Sequence, residues 1–182
     1  IMKRIFTKST RLLVILIGLN MSAVTHASWS PIIRHFTPKD YGAGTQNWDI
    51  VEQVNGWMYV ANNYGLLETD GCHWNLYGIS NSTAVRATTI DKDGSIYVGG
   101  TDEFGVFYSD SLGGLKYQQL STNIPERYRQ FGEVWRLQID NKKLYVQTRH
   151  YIFDVDDECY KVGLAATEGD SVWCIYLPSG CM

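Results

Sequence analysis

Thr89-Ile-Asp-Lys-Asp-Gly-Ser-Ile-Tyr-Val-Gly99 carries the pattern that decides the architecture, because two other stretches repeat it. Ile50-Val-Glu-Gln-Val-Asn-Gly-Trp-Met-Tyr-Val-Ala61 and Leu137-Gln-Ile-Asp-Asn-Lys-Lys-Leu-Tyr-Val-Gln147 share its grammar: an apolar run, a polar turn, then an apolar residue followed by Tyr-Val. The anchors Tyr59, Tyr97 and Tyr145 stand 38 and 48 residues apart, in or near the period of one four-stranded propeller blade. The repeat predicts an all-β fold: a partial β-propeller of about three four-stranded antiparallel blades plus the first strand of a fourth.

Turn chemistry sets the boundaries. After a lead-in over residues 28–45, with Pro31, Pro38, Gly42 and Gly44, blade 1 is expected over 46–78, punctuated by Asn55-Gly56 and Asp70-Gly71. Asn and Gly tolerate the positive φ that a two-residue hairpin demands. Blade 2 is expected over 84–120, an insertion over 121–133 accounts for the longer second interval, and blade 3 follows over 134–164. Val172-Trp-Cys-Ile-Tyr-Leu mimics Val134-Trp-Arg-Leu-Gln-Ile, so residues 171–182 are expected to open a truncated fourth blade. A ring protects its edges only when closed. Three blades and a fraction are therefore expected to be a piece of a longer chain, completed by that chain's remaining blades or by a second copy in a homodimer.

Composition agrees with this reading. The chain has 182 residues, 45% of them hydrophobic and 19% charged, which is globular rather than disordered. Six Trp, twelve Tyr and six Phe are residues that fit a pleated, half-buried surface. Residues 1–27 combine Lys3, Arg4, Lys8 and Arg11 with an apolar run from Leu12 to Leu19 and a small-residue ending, Thr25-His26-Ala27. This is the layout of a secretory signal peptide, and the apolar core is far short of the ~20 residues of a spanning helix. Without that segment, twelve basic residues face nineteen acidic ones, a net charge of −7, so nucleic-acid binding by this segment is not expected. Cys72, Cys159, Cys174 and Cys181 would then meet an oxidising compartment. Free thiols and one late disulfide both remain open, and the ligand spacing of a zinc site is missing. No metal or cofactor is expected.

One set of ordered motifs points further. Gln46-Asn-Trp-Asp-Ile50, Tyr59-Val-Ala-Asn-Asn-Tyr-Gly-Leu-Leu-Glu-Thr-Asp-Gly71 with Trp74, then Val85-Arg86 and Tyr97-Val-Gly-Gly-Thr-Asp-Glu-Phe-Gly105 closely resemble the start of the two-component-regulator propeller family. The resemblance runs from about Phe36 to Val155. It implies the extracytoplasmic sensor region of Bacteroidetes-type regulators: large propellers, a triple-tyrosine immunoglobulin-like domain, a membrane helix, and a histidine kinase or LuxR-type helix-turn-helix output. Phe131-Gly-Glu-Val-Trp135 and Tyr145-Val-Gln-Thr148 resemble the helix-turn-helix branch more. The implied function is periplasmic sensing of an extracellular cue such as a glycan, in a full-length protein anchored in the inner membrane. A secreted propeller enzyme or binding module acting on polysaccharide is the alternative.

Catalysis needs convergent titratable groups. Asp102 and Glu103 are adjacent, so in or near a strand they point to opposite faces, while Asp70 and Asp93 read as turn residues bonding their own backbone. No catalytic residue is expected. Trp48, Trp74, Trp135 and Trp173 mostly recur at equivalent positions, which favours packing between blades over sugar stacking. The ligand-binding candidates are Trp48, Arg86 and Arg136, near the starts of the innermost strands, where they would line a central channel.

Overall fold

The computed structural model describes residues 32–111 and 113–155 in full and the backbone strands 160–168 and 171–177. The chain divides after His35, and every strand belongs to the unit that begins at Phe36. The expected signal segment and the late cysteines' side chains lie outside the described residues.

The fold is all-β, built of antiparallel meanders set side by side. The first sheet takes β1 (Asn47–Glu52), β2 (Met58–Asn62), β3 (Gly65–Thr69) and β4 (Trp74–Tyr77) in chain order. The second takes β5 (Ala87–Ile90), β6 (Ile96–Gly99), β7 (Phe104–Ser109) and β8 (Leu115–Gln119). The third takes β9 (Val134–Asp140), β10 (Lys143–Thr148), β11 (Tyr151–Val155), β12 (Tyr160–Glu168) and β13 (Ser171–Leu177). The opening strands β1, β5 and β9 adjoin one another in that order, which is the arrangement of blades around an inner edge.

The Tyr-Val dipeptide explains the stacking. Successive strand residues point to opposite faces, so the dipeptide serves two interfaces in the first two blades, and in the third Val146 serves one. Val98 and Tyr59 enter the core between blades 1 and 2 with Ala61, Leu66, Ile79, Val85, Ile96 and Phe107. Val146 and Tyr97 enter the next core, with Phe104, Phe131, Val134, Leu144 and Phe153. The valine thus faces the preceding blade and the tyrosine the following one. On blade 1, Val60 and Leu67 have no preceding blade among the described residues. The lead-in takes that place: Tyr41, from the short helix α1 (Pro38–Tyr41), packs there with Phe36 and Trp74.

Backbone bonds reinforce the stack at repeat-equivalent points. Val85 N–H donates to Asn62 O at 3.0 Å, and Val134 N–H donates to Gly100 O at 2.9 Å. The insertion over 121–133 is structural rather than loose. Its two 3-10 turns, Ser121–Asn123 and Glu126–Tyr128, deliver Ile124 and Phe131 fully into the second core.

One expectation differs from the structure. Residues 171–177, expected to open a fourth blade, form the fifth and outermost strand of the third sheet, with Ser171 opposite Glu168 and Leu177 opposite Val162. The connection explains this. Nine residues link β4 to β5 and fourteen link β8 to β9, whereas Gly169-Asp170 alone joins β12 to β13. Returning from a fourth strand to the inner edge means crossing three strand spacings, about 14 Å, while the three steps from Glu168 to Ser171 span at most about 11 Å. A Gly-Asp link fits a tight hairpin instead.

Close packing at the blade 2–3 interface depends on a missing side chain. A Cβ at Gly99 would approach Val134 Cβ to 2.6 Å, whereas one at Gly78 would meet nothing within 4 Å. Gly99→Ala should lower stability to urea by about 1–3 kcal/mol through overpacking, and Gly78→Ala should stay within about 0.5 kcal/mol of the parent.

Candidate functional site

The structure brings the three sequence-derived candidates together. Trp48 on β1, Arg86 just before β5, and Arg136 on β9 line one cavity of about 430 Å³ with Asp49, Thr88, Trp135 and Leu137. The cavity lies where the opening strands of the three blades begin.

Register explains how neighbouring residues share this space. Asn47 pairs with Asn62 but Asp49 with Ala61, so Trp48 is an extra residue in β1. Val134 pairs with Thr148 but Arg136 with Gln147, so Trp135 is the corresponding extra residue in β9. A β-bulge breaks strict alternation and re-aims side chains. Trp48 and Asp49, like Trp135 and Arg136, therefore both reach the same cavity. Arg86 holds the equivalent position in blade 2, its N–H bonded to Gly99 O at 2.8 Å.

Trp48, Arg86 and Trp135 form one unit. The Arg86 guanidinium carbon stands 4.2 Å from the Trp48 ring centroid and 5.8 Å from that of Trp135, inside the range of cation–π attraction. Arg86 Nη2 pairs with Glu133 Oε1 at 2.6 Å, and Arg86 Nε is buried without a hydrogen-bond partner. The Trp48 indole is oriented by donation from Nε1 to Asn63 Oδ1 at 2.7 Å. Asp49 is also committed: Oδ1 accepts from Ile50 N–H at 2.9 Å and Oδ2 from Thr88 N–H at 3.0 Å, tying blade 1 to blade 2.

The expectation that the tryptophans pack between blades needs correction at two positions. Trp48 is 40% exposed and Trp135 is 52% exposed, because the bulges turn both rings away from the cores. Trp74 does pack, edge-on to Phe36 with centroids 5.2 Å apart, and the Trp173 side chain lies outside the described residues. Glu133 and Asp49 escaped sequence reasoning. Glu133 sits at the end of an insertion without repeat partner, and the role of Asp49 depends on a register shift that no local pattern marks.

The other titratable clusters are struts. Glu103, 1% exposed, accepts from Ser80 N–H and Asn81 N–H, both at 2.9 Å. Asp102 points the other way and holds Gly132 N–H at 2.6 Å. Glu68 accepts from Asn75 Nδ2 at 3.0 Å and Tyr77 Oη at 2.9 Å. Asp70 accepts from Cys72 N–H, His73 N–H and the His73 ring, which lowers its carboxyl and raises the imidazole. Cys72 is exposed and has no disulfide partner among the described residues. Among the described residues there is no metal-ligating cluster, and no helix is long and apolar enough to cross a membrane.

No protein-family model matches the chain, and no curated protein matches it either.

This geometry makes two outcomes measurable. Glu133→Gln leaves a partly buried guanidinium without its counter-charge, and should cost about 1–2 kcal/mol in urea unfolding, less than for a fully buried pair because both groups keep some water. Separately, burial first and the Glu68 carboxylate second push the Tyr59 phenol up to about 12, and the same two causes raise Tyr77 to about 12. The unfolded phenol ionises near 10, so the folded state retains its protons longer. The resulting stabilisation is complete below pH 10 and disappears as pH rises from 10 through 12. Ultraviolet titration of tyrosinate should show these two phenols ionising together with loss of the sheet signal.

Proposed function

We propose that this chain is the ligand-sensing propeller segment of a transmembrane regulator, facing the periplasm and responding to a glycan. The carrying observation is the cluster of bulged Trp48 and Trp135 around Arg86 at the inner edge of three adjacent blades. Flat indole faces beside oriented polar groups suit a sugar ring, and the cavity is within the size range of small-ligand sites. The motif resemblance to two-component-regulator propellers supports the signalling context, with a kinase or helix-turn-helix output borne elsewhere in a longer protein.

A binding role without turnover is favoured by what the carboxylates already do. Asp49 spends both oxygens on backbone N–H groups, and Glu133 is held by Arg86. Neither is free to act as a positioned acid or base.

Incubation of the chain with oligosaccharides from plant and microbial polysaccharides should give saturable binding by calorimetry and no change in chain length by chromatography. Release of shorter sugars would overturn the reading in favour of an enzyme. Residues 1–27, fused to an alkaline phosphatase that lacks its own export signal, should give activity outside the cytoplasm; an inactive fusion would remove the periplasmic part of the proposal.

A further inference from the structure

The two arginines of the cavity have different surroundings. Arg86 is enclosed: one indole lies against it, a second stands nearby, and Glu133 neutralises it. Arg136 is exposed in the same cavity, and no carboxylate among the described residues pairs with it. Asp49, the acid in the lining, has both oxygens bonded to backbone N–H groups. Arg136 therefore keeps its planar fork of donors for something that arrives. This stands out against a chain whose net charge is −7 beyond residue 27, which repels anions in general.

The bulge at Trp135 completes the arrangement. It brings the half-exposed Trp135 and Arg136 into the lining of one cavity, although they are consecutive in β9. A ligand satisfying both needs a ring with an apolar face and a planar anion attached to it. Neutral sugars offer the first alone. Resting on the glycan reading above, we propose that the recognised ligand is an acidic glycan, with a uronic-acid carboxylate bound by Arg136 and its ring stacked on Trp135. Arg86 is then a positioning residue: pinned by Glu133 and Trp48, it keeps the two bulged strands at the spacing the sugar needs.

The test is calorimetric titration of the full chain with trigalacturonate, with a glucuronate-ended disaccharide, and with the same sugars after reduction of their carboxylates to alcohols. At least one acidic probe should bind about tenfold or more tighter than its reduced counterpart, the effect of one charge-assisted hydrogen bond. Arg136→Gln should erase that preference, and raising salt should shrink it in the parent. Trp135→Ala should weaken the acidic and reduced forms alike. Circular dichroism checks that both variants keep the sheet. Equal affinity for acidic and reduced sugars would overturn the acidic-ligand inference while leaving glycan sensing intact. Absence of binding by every probe would overturn both. A preference that survives Arg136→Gln would overturn the role of Arg136.

Discussion

Everything in this fold depends on a strand that is buried on both faces. In a sheet with one wet face, alternating residues can be polar; here the second strands of the first two meanders are covered on both faces, so consecutive residues must both be large and apolar, while β10 buries the single face it turns to the second meander. Tyr-Val answers that requirement, with valine filling the preceding interface and tyrosine the following one. Small residues complete the fit. Ala61 and Gly99 follow the dipeptide in blades 1 and 2, and Gly99 admits Val134 to close contact. Because each interface is shared, a blade is stable only in company, which is why the lead-in supplies Phe36 and Tyr41 against blade 1.

The same constraint creates the site. With the second and third strands committed to packing, the start of each opening strand is where the chain can depart from regular pairing without opening a core. Bulges at Trp48 and Trp135 exploit that freedom. Val85 and Val134, each one residue upstream of the cluster position, are anchored by backbone bonds to the preceding blade and by complete burial. The next side chain is thus carried on a rigid support, the condition for a preorganised binding group.

Polar groups serve mainly to join blades. Asp49, Asp102 and Glu103 each use carboxylate oxygens to satisfy backbone N–H groups of a neighbouring segment. Such bonds are strong for hydrogen bonds because one partner is charged. They stabilise connections that have few ladder bonds of their own, and they leave these carboxylates little freedom for proton transfer.

The all-β class, the meander order and the position of the inner strands were legible from turn residues and the Tyr-Val repeat, since both are local signals. Trp48, Arg86 and Arg136 were legible as a group because repeat alignment places them at strand starts. The exposure of Trp48 and Trp135 was not, as a bulge is a property of pairing between strands and leaves no mark within either one. Glu133 and Asp49 were hidden for the same reason: their partners are remote in sequence. Residues 171–177 repeat the pattern of an opening strand, yet a two-residue link holds them beside β12. Sequence alone thus determined which residues alternate, turn and recur, because those follow from backbone sterics and side-chain size. Only the tertiary structure decided which side chains meet, because register, connection length and the shared burial of two faces act across the whole stack.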